Sequence, residues 1–125
     1  MGLDIYFNKV KKEKEELGYF RKVNFLIKFF KDVRNRNPIK IDKKEVEGLL
    51  NLCNIVLKYH DENPNDQAVA NKILPSQDGF FFGSTDYDEH YYDSVKEVKE
   101  FIETKLLKAF NNLKNDESIE LYISY

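Results

Sequence analysis

Leu3, Ile5 and Phe7 alternate with Asp4, Tyr6 and Asn8 at the start of the chain. This period-two pattern predicts a strand with one face in the core. Ile119-Glu120-Leu121-Tyr122-Ile123-Ser124-Tyr125 repeats the alternation at the other end. Between them the apolar spacing lengthens to three and four. Phe20, Val23, Ile27 and Phe30 recur at helical spacing, as do Tyr19, Leu26, Phe29 and Val33. The two stripes merge into one wide face, which predicts a central helix from Gly18 to Val33. The preceding charge run, Lys9 to Glu16, reads as a solvated linker or a frayed helix start. Arg34-Asn35-Arg36-Asn37 and Pro38 end the helix, because proline disfavours helical geometry in the residue before it.

Ile39-Lys40-Ile41 predicts a short edge strand. Asp42 and Glu45 form a capping-box pair that opens a second helix, whose stripe is Val46, Leu49, Leu50, Cys53, Val56 and Leu57. Asp61 to Asp66 is a turn-rich loop, and Ala68-Val69-Ala70 adds a helical turn. Then comes Gly79-Phe80-Phe81-Phe82-Gly83, three phenylalanines between two glycines. It predicts a short buried strand with tight turns at its ends. Ser84-Thr85-Asp86 reads as the start of a third helix, with Asp86 and Glu89 as a second capping box. That helix runs from about Tyr87 to Leu113 on a stripe of Tyr91, Val95, Val98, Ile102, Leu106, Phe110 and Leu113. The order predicts one α+β domain over residues 1–125: a small antiparallel or mixed sheet that includes both terminal strands, packed against three helices.

Composition narrows the function classes. Charged residues make up 34% of the chain, but both signs are mixed and the net charge is −2, which removes the electrostatic case for general nucleic-acid binding. The single cysteine, Cys53, permits no intramolecular disulfide. Its place in an apolar stripe predicts a buried, inert thiol. One Cys and two His, His60 and His90, are too few for a structural zinc site. No apolar run approaches the roughly 20 residues of a membrane span, and no signal-peptide pattern opens the chain. The expectation is a cytoplasmic protein with no membrane association.

The candidate chemistry gathers at two places. Arg21, Asn24, Lys28 and Lys31 fall on one narrow face of the helix predicted over Gly18 to Val33. Arg offers a fork for phosphate or carboxylate, and Asn adds orientation. The second place is the corner made by Ser84, Thr85, Asp86, Tyr87, Asp88 and Tyr91, where a strand–turn–helix junction would aim backbone N–H groups and short polar side chains at one spot. Arg21 has two readings: it receives an anion, or it pairs with Asp86, Asp88 or Glu89. The acids also have two readings. Asp86, Asp88, Glu89, His90 and Asp93 offer ligands for a divalent cation in a hydrolase, with His90 as a base. Capping and the helix dipole account for the same acids without a metal. The many tyrosines suit a flat ligand or a partner protein, or simply cover the rim of a small sheet. Nothing matches a phosphate loop, nucleophile elbow or dinucleotide fingerprint, and no cofactor is expected.

Three stretches together resemble a family. Met1-Gly2-Leu3-Asp4-Ile5-Tyr6, Tyr19-Phe20-Arg21-Lys22-Val23-Asn24 and the segment from Gly79 to Tyr92 are similar to small uncharacterised proteins of phages and prophages. Those chains begin with a Met-Gly-Leu-Asp-Met-Tyr-like segment and carry Tyr-Trp-Arg-Lys-Ala-Asn-like and Gly-Phe-Phe-Phe-Gly-like motifs. This chain departs from them at Ile27 and Phe29, where the family often has His and Trp, and at its Ser124-Tyr125 end. The resemblance implies a mobile-element origin and no particular activity. With the residues, it gives the expectation of a non-catalytic protein that binds a small anionic ligand or a host protein. The alternatives are a metal-dependent hydrolase and a structural protein that assembles as a homo-oligomer.

Overall fold

The computed structural model describes residues 2–79 and 81–125. The alternating ends form strands. β1 (Asp4–Val10) lies inside an antiparallel sheet between β2 (Lys14–Arg21) and β4 (Ser118–Ser124), and β3 (Ile39–Ile41) pairs with the outer side of β4. The order is β2-β1-β4-β3. Ile5 stands opposite Ile123 and Phe7 opposite Leu121, so the core-facing side chains of β1 and β4 form rows, and all four are buried. The other face carries Tyr6 between Tyr19 and Tyr122.

The helical patterns hold for the long helices. Asp42 caps α2 (Lys43–Glu62), and the capping box closes in both directions, Glu45 N donating to Asp42 Oδ1 at 2.7 Å and Asp42 N to Glu45 Oε1 at 3.0 Å. After a short α3 (Ala68–Ile73), α4 (Glu89–Phe101) passes through a π-helical turn at Ile102–Leu106 into α5 (Leu107–Asn111). Val95, Val98, Ile102 and Leu106 are buried along this run, each such side chain contributing about 1.5–3 kcal/mol. Phe101 anchors the run on the sheet, its ring 5.2 Å from Phe7 and 5.4 Å from Phe20. Among the described residues no helix is long and apolar enough to cross a membrane.

Four local expectations are overturned. The stretch from Gly18 to Val33 is not one helix. Its first part is the end of β2, followed by a turn and the five-residue α1 (Phe25–Phe29). Gly18 decides this. It is a poor helix former, it pairs with Phe7, and an added Cβ would stand 2.5 Å from the Phe101 ring. The apolar residues still reach the core: Phe20, Val23, Leu26, Phe30 and Val33 are buried. The Lys9 to Glu16 charge run is likewise neither linker nor helix start. It is the tip of the β1–β2 hairpin, with Lys9 3.3 Å from Glu15 across the strands.

Where the triple phenylalanine predicts a strand, Phe81 and Phe82 lie in a turn. Phe80 lies outside the described residues. Phe82 is buried and Phe81 exposed, and both Phe81 (φ 68°) and Gly83 (φ 89°) are left-handed, which reverses the chain. Phe82 N donates to Gly79 O at 3.1 Å. Gly79 is needed because a Cβ there would lie 2.6 Å from the Phe82 ring folded back over it. The capping expectation shifts too: Asp88, not Asp86, caps α4, accepting from Tyr91 N at 3.2 Å.

Candidate functional site

Arg21 is the last residue of β2. Lys22 then takes a left-handed conformation (φ 58°) and donates its N–H to Leu3 O at 2.7 Å. This turn delivers Asn24 to the start of α1, where it is only 5% exposed. Its side chain does not cap the helix. Nδ2 donates to Phe82 O at 3.1 Å and to Ser84 O at 3.0 Å, and Oδ1 accepts from Gln77 N at 3.1 Å. A single buried amide therefore fastens the 76–84 loop to the β2–α1 turn. Two tyrosines hold the stem of that loop. Tyr91 Oη donates to Leu74 O at 2.8 Å, while Tyr87 Oη accepts from Ser76 N at 3.1 Å and donates to Asn71 Oδ1 at 3.0 Å. Burial, with Tyr87 and Tyr92 beside it, pushes the Tyr91 phenol well above its ordinary value.

A cleft of about 440 Å³ opens between the β2–α1 turn and the first turns of α4. Arg21, Asn24, Ser84, Asp86, Asp88 and Tyr91 all line it, so the structure brings together the N-terminal end of the predicted basic stripe and most of the predicted acidic corner. Thr85 and Tyr87 do not line it; Thr85 is exposed and Tyr87 half-buried. Lys28 lines a different cleft, on the other side of the Asn24-held loop, together with Lys31. The stripe is split because its residues belong to a strand, a turn and a short helix.

The first cleft is polarised. Arg21 and Lys22 supply positive charge, while Asp86, Asp88, Asp93 and Glu97 supply negative charge. Arg21 is exposed, and among the described residues no ion pair joins it to Asp86, Asp88 or Glu89. Two of these acids have other work: Asp88 caps α4, and Glu89 lies 3.8 Å from His60 Nε2. Ser84 Oγ accepts from Asp86 N at 3.0 Å. Among the described residues no three His, Cys, Asp or Glu side chains stand close enough to hold a metal ion. Cys53 lies far from this chemistry in character: it is fully buried in α2, and burial pushes its thiol up to about 12.

Sequence reasoning missed Lys22, Ser94 and Glu97 as lining residues, and named Asp93 only as a divalent-cation ligand. A signal for the α4 group was present. His90, Asp93, Ser94 and Glu97 are spaced by three and four, which places them on one helix face. No protein-family model, no curated protein and no solved structure matches the chain.

Proposed function

We propose that the chain is a small phage- or prophage-derived protein that binds a ligand without turning it over, and that the Arg21 cleft is its site. One observation carries this reading: Arg21 and Lys22 stand exposed on one side of a concave cleft of about 440 Å³, opposite a carboxylate-rich helix face. Clefts of this size suit small molecules. The guanidinium fork of Arg21 matches a phosphate or carboxylate. The facing acids repel a plain anion, so the favoured ligand is an anion that also carries an ammonium or several N–H and O–H donors. Ser84, Asp86 and Asp93 would receive that end. The phage resemblance supports a role in interfering with a host process, with sequestration of a small metabolite or signal as its simplest form.

Calorimetric titration with amine-bearing phosphates and amino acids tests the reading. Binding is expected in the wild type and at least tenfold weaker in Arg21→Ala, and the recovered ligand is expected to be chemically unchanged by NMR. Equal affinity in the two proteins would remove Arg21 from the site. Ligand turnover would remove the non-catalytic reading.

A further inference from the structure

We infer that the protein carries a second site, separate from the Arg21 cleft, that takes a nucleoside phosphate through its ring and its anion together. The cleft lies on the other side of the 76–84 loop, is open to solvent and has a volume of about 770 Å³, within the range that holds nucleotide-sized ligands. Its charge differs from that of the first cleft. Among the described residues, Lys28, Lys31 and Arg34 line it against one acidic side chain, Asp78, in a chain whose net charge is −2. Among the described residues none of these three cations is in an ion pair. Arg34 is held in place from behind: Nη1 donates to Lys31 O and to Val33 O, both at 2.9 Å. A guanidinium fixed this way loses little side-chain freedom when it donates to a phosphate.

The wall beside these cations is aromatic. Tyr125 is 41% exposed, and its ring meets the buried Phe82 ring edge-on, with centroids 4.8 Å apart and planes at 76°. Its backbone is clasped from both sides by Asn35: Tyr125 N donates to Asn35 Oδ1 at 2.9 Å, and Asn35 Nδ2 donates to Tyr125 O at 3.2 Å. The exposed ring is thus positioned before any ligand arrives. Ile27 and Val33 add apolar surface. A base can stack on such a ring without regard to sequence. The nearby cations take its phosphate, and Asp78 offers an acceptor for an exocyclic amine, as carboxylates do for base edges. Hydrophobic floor, aromatic wall, basic rim and one acceptor together fit a nucleotide better than a simple anion.

The test is calorimetric titration of the full chain with AMP and GMP, with adenosine and inorganic phosphate as controls, at low salt and at 0.3 M NaCl. The expected result is nucleotide binding that weakens with salt and exceeds that of either control at least tenfold. Lys28→Ala/Lys31→Ala and Tyr125→Ala are each expected to lose tenfold or more, Tyr125→Phe to retain most of the affinity, and Arg21→Ala to retain all of it. Because these positions are exposed, unchanged circular dichroism is expected in every variant. No nucleotide binding at millimolar concentration would overturn the inference. So would phosphate binding as tightly as AMP, or binding that survives the double lysine variant. Loss in Arg21→Ala alone would move the nucleotide to the first cleft and overturn it as well.

Discussion

Asn24 does at one position what neither the β2–α1 turn nor the 76–84 loop does for itself. Its three hydrogen bonds reach residues 53 to 60 positions further along the chain. Each bond contributes about 0.5–1.5 kcal/mol net, and a buried carbonyl left without a donor costs more. Asn24→Ala is therefore expected to lose about 2–4 kcal/mol in urea denaturation; a loss below about 1 kcal/mol would mean water replaces the amide. Arg21, exposed and outside any ion pair among the described residues, gives the opposite expectation. Arg21→Ala should change stability by no more than about 0.5 kcal/mol, so a larger loss would reveal a structural partner. Cys53 adds a pH dependence. Its thiol ionises near its ordinary 9.0 in the unfolded chain and near about 12 in the fold. Between those values the unfolded chain has already released the proton, so stability is complete below pH 9 and falls as pH rises, by up to about 1.4 kcal/mol per unit. Denaturation midpoints of wild type and Cys53→Ala between pH 8 and pH 10 should converge. Parallel curves would show that the thiol is not the group responsible. As a chemical type each of these residues was visible in the sequence. Asn24 as a clamp was not, because its partners are backbone groups of a distant loop that no local pattern announces.

At the scale of elements, legibility followed how local the deciding interactions are. The capping box at Asp42 and the long stripe of α2 are made within a few residues, and both were readable. The terminal strands were readable because one buried face enforces strict alternation. The stretch from Gly18 to Val33 was misread because its apolar residues satisfy a helical spacing while answering to a strand, a turn and a short helix in succession. What selects the strand is nonlocal: pairing with β1 and the Phe101 ring filling the space above Gly18. Gly18→Ala tests that account. Helix propensity alone predicts a gain. The Cβ instead meets the Phe101 ring at 2.5 Å, and overpacking of this kind is expected to cost about 1–3 kcal/mol, read as a lowered denaturation midpoint. A more stable Gly18→Ala protein would restore helical propensity as the governing factor. The triple phenylalanine is the same lesson in reverse. Its apolar run suggested a buried strand, but left-handed Phe81 and Gly83 reverse the chain, with Phe82 buried and Phe81 exposed.

Over the whole molecule the two clefts share a wall. Ser76, Gly83 and Ser84 of the 76–84 loop face the Arg21 cleft, while Gln77, Asp78, Gly79 and Phe82 of the same loop face the basic one. The loop is fastened by Asn24, by Tyr87 through Ser76 N, and by Leu3 N, which donates to Phe81 O at 3.0 Å. Phe82 adds its buried ring to these ties, so losing the Asn24 bonds weakens the anchorage of the loop directly. Removing the amide at residue 24 should then loosen the wall beyond the general loss of stability. In hydrogen exchange followed by NMR, the Gln77 and Leu3 amides of Asn24→Ala are expected to exchange faster relative to Leu49 and Cys53 in α2 than they do in the wild type. If both clefts bind as proposed, their affinities should fall together, since each needs the same wall in place and a ligand that orders it for one site orders it for the other. If the exchange ratio stays constant, the loop opens only with the whole protein. The clefts would then act as two separate surfaces on one rigid body.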